Sequence, residues 1–362
     1  MQTRPPAWTS HADEALASAA RGIRLLSAVT PLNAKAERAR LIEAVNHNDD
    51  AIPKWTYASP AKSDVRERLD QVARALGSLG DDRLVQIYLA RAHELAREAE
   101  LIEAVGTESF AALATARFSG DSRSITKKAR ALALGWANEK ATDDAEVFAS
   151  DADHPDSLLS VMKKEVGKRG LPFRVQVHAP LSSLAATGDG VIYVTAGRPI
   201  SKAAAVRTVL HEIEGHALPR IAASKLDLAI FRIGTAGGTD DQEGLALLVE
   251  EREASLVGER RRDLASRAMA VEAMRNGADF PAVVKFLRSD HGRSATQSVS
   301  IAERIFRGSY GRTPGLGRES IYLESFVRVK AHVAKFPEAE RVLKSGQVSV
   351  DAADVLASYA AT

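Results

Sequence analysis

The sequence predicts a mainly α fold of the α+β class, with a small β-sheet and a helical N-terminal region. Three observations lead there. From about residue 10 to 150 apolar positions recur at helical spacing, as in Leu84, Ile87, Tyr88, Leu95, Ala99 and Ile102. Further on, PFRVQVH at 172–178 and GVIYVT at 190–195 are rich in β formers, and the first of them alternates. Turn-rich breaks then separate further helical patterns.

Taken in order, helices are expected over about 11–28, 32–45, 63–79, 81–105 and 107–116, with Gly80, Gly106 and Gly120 where helices would stop. The stretch DADHPDS at 151–157 breaks the pattern and divides a helical region, 1–150, from a catalytic region, 151–362. A helix over about 157–168 ends at Gly170, and the two strands follow. Ser201 is placed to cap a helix running from Lys202 to about His216, which Pro219 should stop. The Gly/Thr-rich IGTAGGTDD opens another helix over about 240–257, and RIFRGSYGRTPGLGRES at 304–320 reads as a loop.

The 362 residues are 45% hydrophobic and 27% charged, ordinary for a globular chain. Lys+Arg number 49 and Asp+Glu 47, a net charge of +2, so no nucleic-acid or membrane-surface partner is expected. There is no cysteine, which excludes disulfides and thiolate metal sites; a zinc ion would need His and carboxylate. The N-terminal segment has no long apolar core and does not read as a signal peptide. No stretch reaches the roughly 18 apolar residues that span a bilayer. The expected location is the cytoplasm.

The chemistry sits in LHEIEGHALPR at 210–220. His211, Glu212 and His216 form H-E-x-x-x-H, one residue longer than the zinc-peptidase motif H-E-x-x-H. Five positions at about 100° each leave the second imidazole some 140° from the first on a regular helix. A single ion therefore requires the helix to loosen, and Gly215 permits it. The preceding strand GVIYV suits a peptidase in which substrate pairs with a strand edge beside the metal. A catalytic zinc needs a third protein ligand. Glu243 is one choice, at the start of its helix, where it could equally be a capping-box glutamate; Thr239 or Asp240 would cap that helix. Gly244 would give room for close approach of the metal helix. Glu250 and Glu251 are rivals further along. Asp240 and Asp241 read as capping residues, one of which could orient a ligand imidazole. Glu214 is expected to face solvent or an arginine.

HEIEGH at 211–216, QEGLA at 242–246 and RIFRG…YLESFVRV at 304–329 together resemble the QEGLA-motif family, which includes the tyrosine carboxypeptidases acting on tubulin. The resemblance implies a zincin-like metallopeptidase with one Zn2+ held by His211, His216 and Glu243, and Glu212 as catalytic base. It favours Glu243 over Glu250 and Glu251. It implies a peptide or protein C-terminus as substrate, without carrying tubulin over. Tyr322 and Tyr310 are candidate donors to the oxyanion, as is Arg304. Arg304, Arg307 and Arg328 are candidates for the substrate's terminal carboxylate, because a guanidinium binds both oxygens. Two other readings stand beside the peptidase: a zinc hydrolase of a non-protein amide or peptide-derived natural product, and a non-catalytic zinc-containing binding protein.

Overall fold

The computed structural model describes residues 3–59, 63–119, 125–140, 146–179 and 183–360; Gly120 lies outside them. The N-terminal part folds as helices Thr9–Gly22, Leu25–Ala28, Ala34–Asn46, Val65–Gly77, Arg83–Glu103, Phe110–Ser119 and Lys127–Ala137. Gly80 and Gly106 take left-handed backbone after two of these regions, as expected of glycine stops. The one long N-terminal pattern at 11–28 is split in two around residue 23.

These helices do not pack by themselves. Leu16, Leu69, Tyr88 and Leu95 share one apolar core with Leu245, Leu248, Phe326 and Leu356 from the far end of the chain. A buried ion cluster fastens the same junction. Arg117 donates to Glu98 at 2.8 Å and to Asp240 at 3.0 Å, and the Gly237 amide donates to Glu94 at 2.9 Å. The helix Gly238–Arg252 is thus anchored at its start to the N-terminal layer. No helix is long and apolar enough to cross a membrane, among the described residues.

Five short strands follow among the described residues: β1 (Val147–Ala149), β2 (Arg174–His178), β3 (Ala185–Thr187), β4 (Val191–Thr195) and β5 (Pro199–Ser201). β1 and β5 pair antiparallel; the other three lie in the order β2-β4-β3, with β2 parallel and β3 antiparallel to β4. The segment GVIYV is therefore the central strand, with three of its five residues buried, and not the open edge expected of it. The edge strands are β2 and β3, and β3 is too short to show in the sequence pattern.

Ser201 caps the next helix through its hydroxyl, which accepts from the Ala204 amide at 3.2 Å. Lys202–Leu210 is α-helical, His211–Ala217 is a π-helix, and α-helix resumes over Leu218–Ser224. Pro219 does not stop the helix. It falls in the first turn of the resumed α segment, where an N–H is dispensable and its fixed φ suits the helix.

Candidate active site

In a π-turn the amide bonds five residues back instead of four, as the Leu218 amide does to the Ile213 carbonyl. Five residues then close one turn, and His216 comes round over His211. Gly215 makes this possible for a second reason. It lies against the helix Gly238–Arg252, and a β-carbon there would run into Ala246 of QEGLA. Gly244, expected to admit the metal helix, instead faces the Ser325–Phe326 backbone of the helix Ile321–Lys335.

The two motifs converge. His211 Nε2 lies 3.4 Å from His216 Nε2 and 3.4 Å from Glu243 Oε2; His216 Nε2 lies 3.9 Å from that same oxygen. A point equidistant from the three atoms is about 2.1 Å from each, the bond length that Zn–N and Zn–O coordination requires. The rear nitrogens are already held: His211 Nδ1 is 2.7 Å from Glu250 Oε1, and His216 Nδ1 is 3.0 Å from Gln242 Oε1. Donation from both Nδ1 positions leaves both Nε2 lone pairs turned to the common point. These three residues could hold a metal ion, and their donor set suits zinc.

Charge supports the same arrangement. Burial opposes ionisation of Glu243, but His211, His216 and Arg318 outweigh it and keep its carboxyl well below the usual range. Burial likewise opposes charge on Glu250, and Arg260 and His211 hold its pKa down at about 2. Glu250 is therefore a carboxylate behind a histidine, not a ligand beside it. Glu251 pairs with Lys330 at 2.7 Å, away from the cluster.

Glu243 was expected in the first turn of a helix capped by Thr239 or Asp240. The helix starts earlier, at Gly238, with Gly237 in left-handed backbone at the cap and no side-chain cap. Asp240 binds Arg117, and Asp241 binds Arg328 and the Val350 amide, so neither orients an imidazole. Gln242 and Glu250 do that. Glu214 points away and pairs with Arg169.

Glu212 is buried beside the cluster, and its Oε2 accepts from the Thr187 hydroxyl at 2.8 Å. Thr187 ends β3, so the sheet edge fixes the carboxylate. His211, Glu212, His216 and Glu243 all line one cleft of about 610 Å³. Tyr322, Arg304 and Arg307 line it too. Burial, and then Glu243, push the Tyr322 phenol up, keeping its proton on.

A family model described as microtubule-associated tyrosine carboxypeptidase matches residues 45–362. The chain belongs to that family. No curated protein sequence matches it. The matched range takes in HEIEGH, QEGLA and the later motif together with four of the seven N-terminal helices.

Within that frame the remaining arginines and tyrosines separate. Arg304 is spent on Glu319 at 3.0 Å. Arg328 is bound to Asp241 at 2.6 Å and does not line the cleft. Tyr310 is half exposed, its ring 5.7 Å from that of Tyr57 and its hydroxyl against Gly106, also outside the cleft. Arg328 and Tyr310 thus lie outside the cleft, each facing a different neighbour. Arg307 is different again. It is 5% exposed, and its Nε and Nη2 have no hydrogen-bond partner among the described residues. Sequence reasoning missed Thr187, Gln242, Arg260 and Arg318 as site residues. Only Gln242 carried a local signal, its place in QEGLA.

Proposed function

We propose that the protein is a zinc-dependent carboxypeptidase that hydrolyses the last peptide bond of a substrate with a free C-terminus. The observation that carries this is one cleft holding three things: a three-donor cluster of zinc dimensions, a fixed carboxylate beside it, and a buried guanidinium with unused donors. Family membership supports the class of reaction. A purely structural zinc would need neither Glu212 nor an open position.

Zinc held by His211, His216 and Glu243 would supply Lewis acidity at the scissile carbonyl and lower the pKa of water toward about 7. Glu212 takes the proton from that water as its oxygen adds to the carbonyl carbon. The Thr187 hydroxyl aims the Glu212 carboxylate and leaves its other oxygen for the proton. Tyr322 donates its hydroxyl proton in a hydrogen bond to the developing oxyanion. The proton on Glu212 then passes to the leaving nitrogen as the C–N bond breaks. Arg307, which lines the same cleft, is the cation for the substrate's terminal carboxylate. The free edge of β3 lies on the wall of the cleft and offers backbone groups to an extended peptide.

The test compares peptides with free and amidated C-termini after zinc loading. Loss of one terminal residue from the free form alone supports the reading; cleavage of both equally, or of internal bonds, overturns it. Tyrosine is the terminal residue that the family name offers, and it belongs in the peptide panel.

A further inference from the structure

The stretch between RIFRG and YLESFVRV is given no role by the proposed reaction, yet its turn is held from two sides. Gly317 takes left-handed backbone, and its amide donates to the Ile305 carbonyl at 3.0 Å. The 3-10 turn Arg318–Ser320 follows. Arg275, 5% exposed, donates through Nη2 to the Gly317 carbonyl at 3.3 Å and to the Ser320 hydroxyl oxygen at 3.4 Å. Glu319 is paired with Arg304 at 3.0 Å and with Arg267 at 3.4 Å. Gly317, Glu319 and Ser320 are all held, so the backbone that carries Arg318 is fixed.

Arg318 itself turns to the three-donor cluster. Its Nη2 donates to Glu243 Oε1 at 3.3 Å, and its guanidinium carbon lies 6.0 Å from the centre of the Tyr322 ring. The other carboxylate oxygen, Oε2, faces His211 Nε2 at 3.4 Å and His216 Nε2 at 3.9 Å. The carboxylate is therefore divided: one oxygen is turned to the place of the ion, and the other is engaged by a cation. A carboxylate can ligate an ion through one oxygen or through both. The second mode fills a position that a catalytic zinc keeps open.

We propose that Arg318 is a positioning residue that holds Glu243 to one-oxygen coordination and so keeps a position on the ion open for water and substrate. This rests on the zinc reading of the cluster and concerns how the ion is held, not which substrate is taken. Two roles for such an arginine predict opposite signs. A partner that only braces a ligand raises metal affinity, and its removal lowers it. A guanidinium that occupies Oε1 competes with the ion for the charge of Glu243 and repels the ion as well. Its removal frees Oε1 to join the coordination, so the ion is bound at least as tightly and the open position is lost.

Cobalt(II) is the probe, because its visible absorption is strong in a tetrahedral site and weak at higher coordination. The full chain, freed of metal, is titrated with cobalt and, against a chelator, with zinc, as wild type, Arg318→Gln and Arg318→Lys. The wild type should give the strong tetrahedral absorption. Arg318→Gln should lose it while binding zinc at least as tightly. Arg318→Lys keeps a cation against Oε1 and should restore most of the absorption. Arg198→Gln removes a charge from the same cleft, from a residue paired with none of the three ligands, and should match the wild type in both readouts. A wild-type spectrum without the tetrahedral absorption overturns the proposal, as does an Arg318→Gln spectrum that keeps it. Zinc affinity lower by about tenfold or more in Arg318→Gln also overturns it, and marks a bracing residue. Should Arg318→Gln fail to fold, Arg318→Met, of similar length, is read in its place. A chain that takes up neither ion sinks the zinc reading and this proposal together, whereas an unchanged Arg318→Gln spectrum sinks this proposal alone.

Discussion

Glu250 stands directly behind His211, its Oε1 2.7 Å from the imidazole Nδ1, while Arg260 holds the same carboxylate at 2.9 Å. The pair sets the tautomer of His211 and fixes its ring. Glu250 is wholly buried, so its charge persists only because both neighbours are present. Glu250→Gln keeps the shape but weakens the grip on Nδ1. Zinc affinity should fall about 10–100-fold while the fold survives, as measured by competition with a chelator of known strength. An unchanged affinity would show that the contact does not tune the site.

Glu212→Gln should separate metal from chemistry. Glu212 is outside the three-donor cluster, so the variant should bind zinc as the wild type does. Its turnover should drop by about 10²–10⁴, the usual loss of a general base. His211→Ala and Glu243→Ala should lose both metal and turnover. Retained turnover in Glu212→Gln removes the proposed base.

Gly215→Ala tests the contact between the two motifs. The added methyl meets the Ala246 side chain, and overpacking of this kind costs about 1–3 kcal/mol. The melting temperature should fall, and zinc affinity with it, because the helix bearing Glu243 is pushed off. Ala246→Gly in the same chain should recover part of the loss, giving a non-additive cycle. Strict additivity would mean the helices do not meet there.

Much of this arrangement was legible locally and the rest was not. Ser201 and β2 were readable because caps and alternation depend on near neighbours. The π-turn was half readable: spacing and Gly215 announced a departure from α geometry, while its form depends on Ala246 31 positions away, across the helix contact. Pro219 misled because a proline stops a regular helix, whereas here the helix has already changed its bonding. Thr187, Arg260 and Arg318 carry no motif; each matters only through the partner that folding brings to it. β3 and β5, three residues each, are too short for periodicity to register. Arg328 and Tyr310 lie in or beside the right motif but turn to Asp241 and to Tyr57.

Metal loading should release a proton. An ordinary imidazole titrates near about 6.5. Burial lowers the His211 value, but Glu243 and Glu250 outweigh it and raise the pKa to about 10. In the metal-free protein this imidazolium adds stability that is complete below its unfolded pKa and lost as pH rises through about 10. A cation can take Nε2 only once that proton leaves. At neutral pH about one proton should be released per ion bound, and affinity should rise about tenfold per pH unit until His211 is neutral. Calorimetry in buffers of different ionisation enthalpy reads the proton directly. Binding without release would place a neutral His211 in the free site.

Arg307→Met should improve the fold while damaging the function. The wild-type guanidinium is 5% exposed with two nitrogens unpartnered, and Arg304 repels it. An apolar side chain of similar length removes a buried charge that Glu319 and Glu303 offset only in part, a change worth about 1–4 kcal/mol in favour of folding where packing is kept. The same substitution deletes the proposed fork for the terminal carboxylate. The melting temperature should therefore rise, while kcat/KM for a free-C-terminus peptide falls by at least about tenfold, most of it in KM. Opposed changes of this kind mark a group retained for its ligand rather than for packing. A variant that loses stability and activity together would make Arg307 a structural residue and return the carboxylate site to another cation.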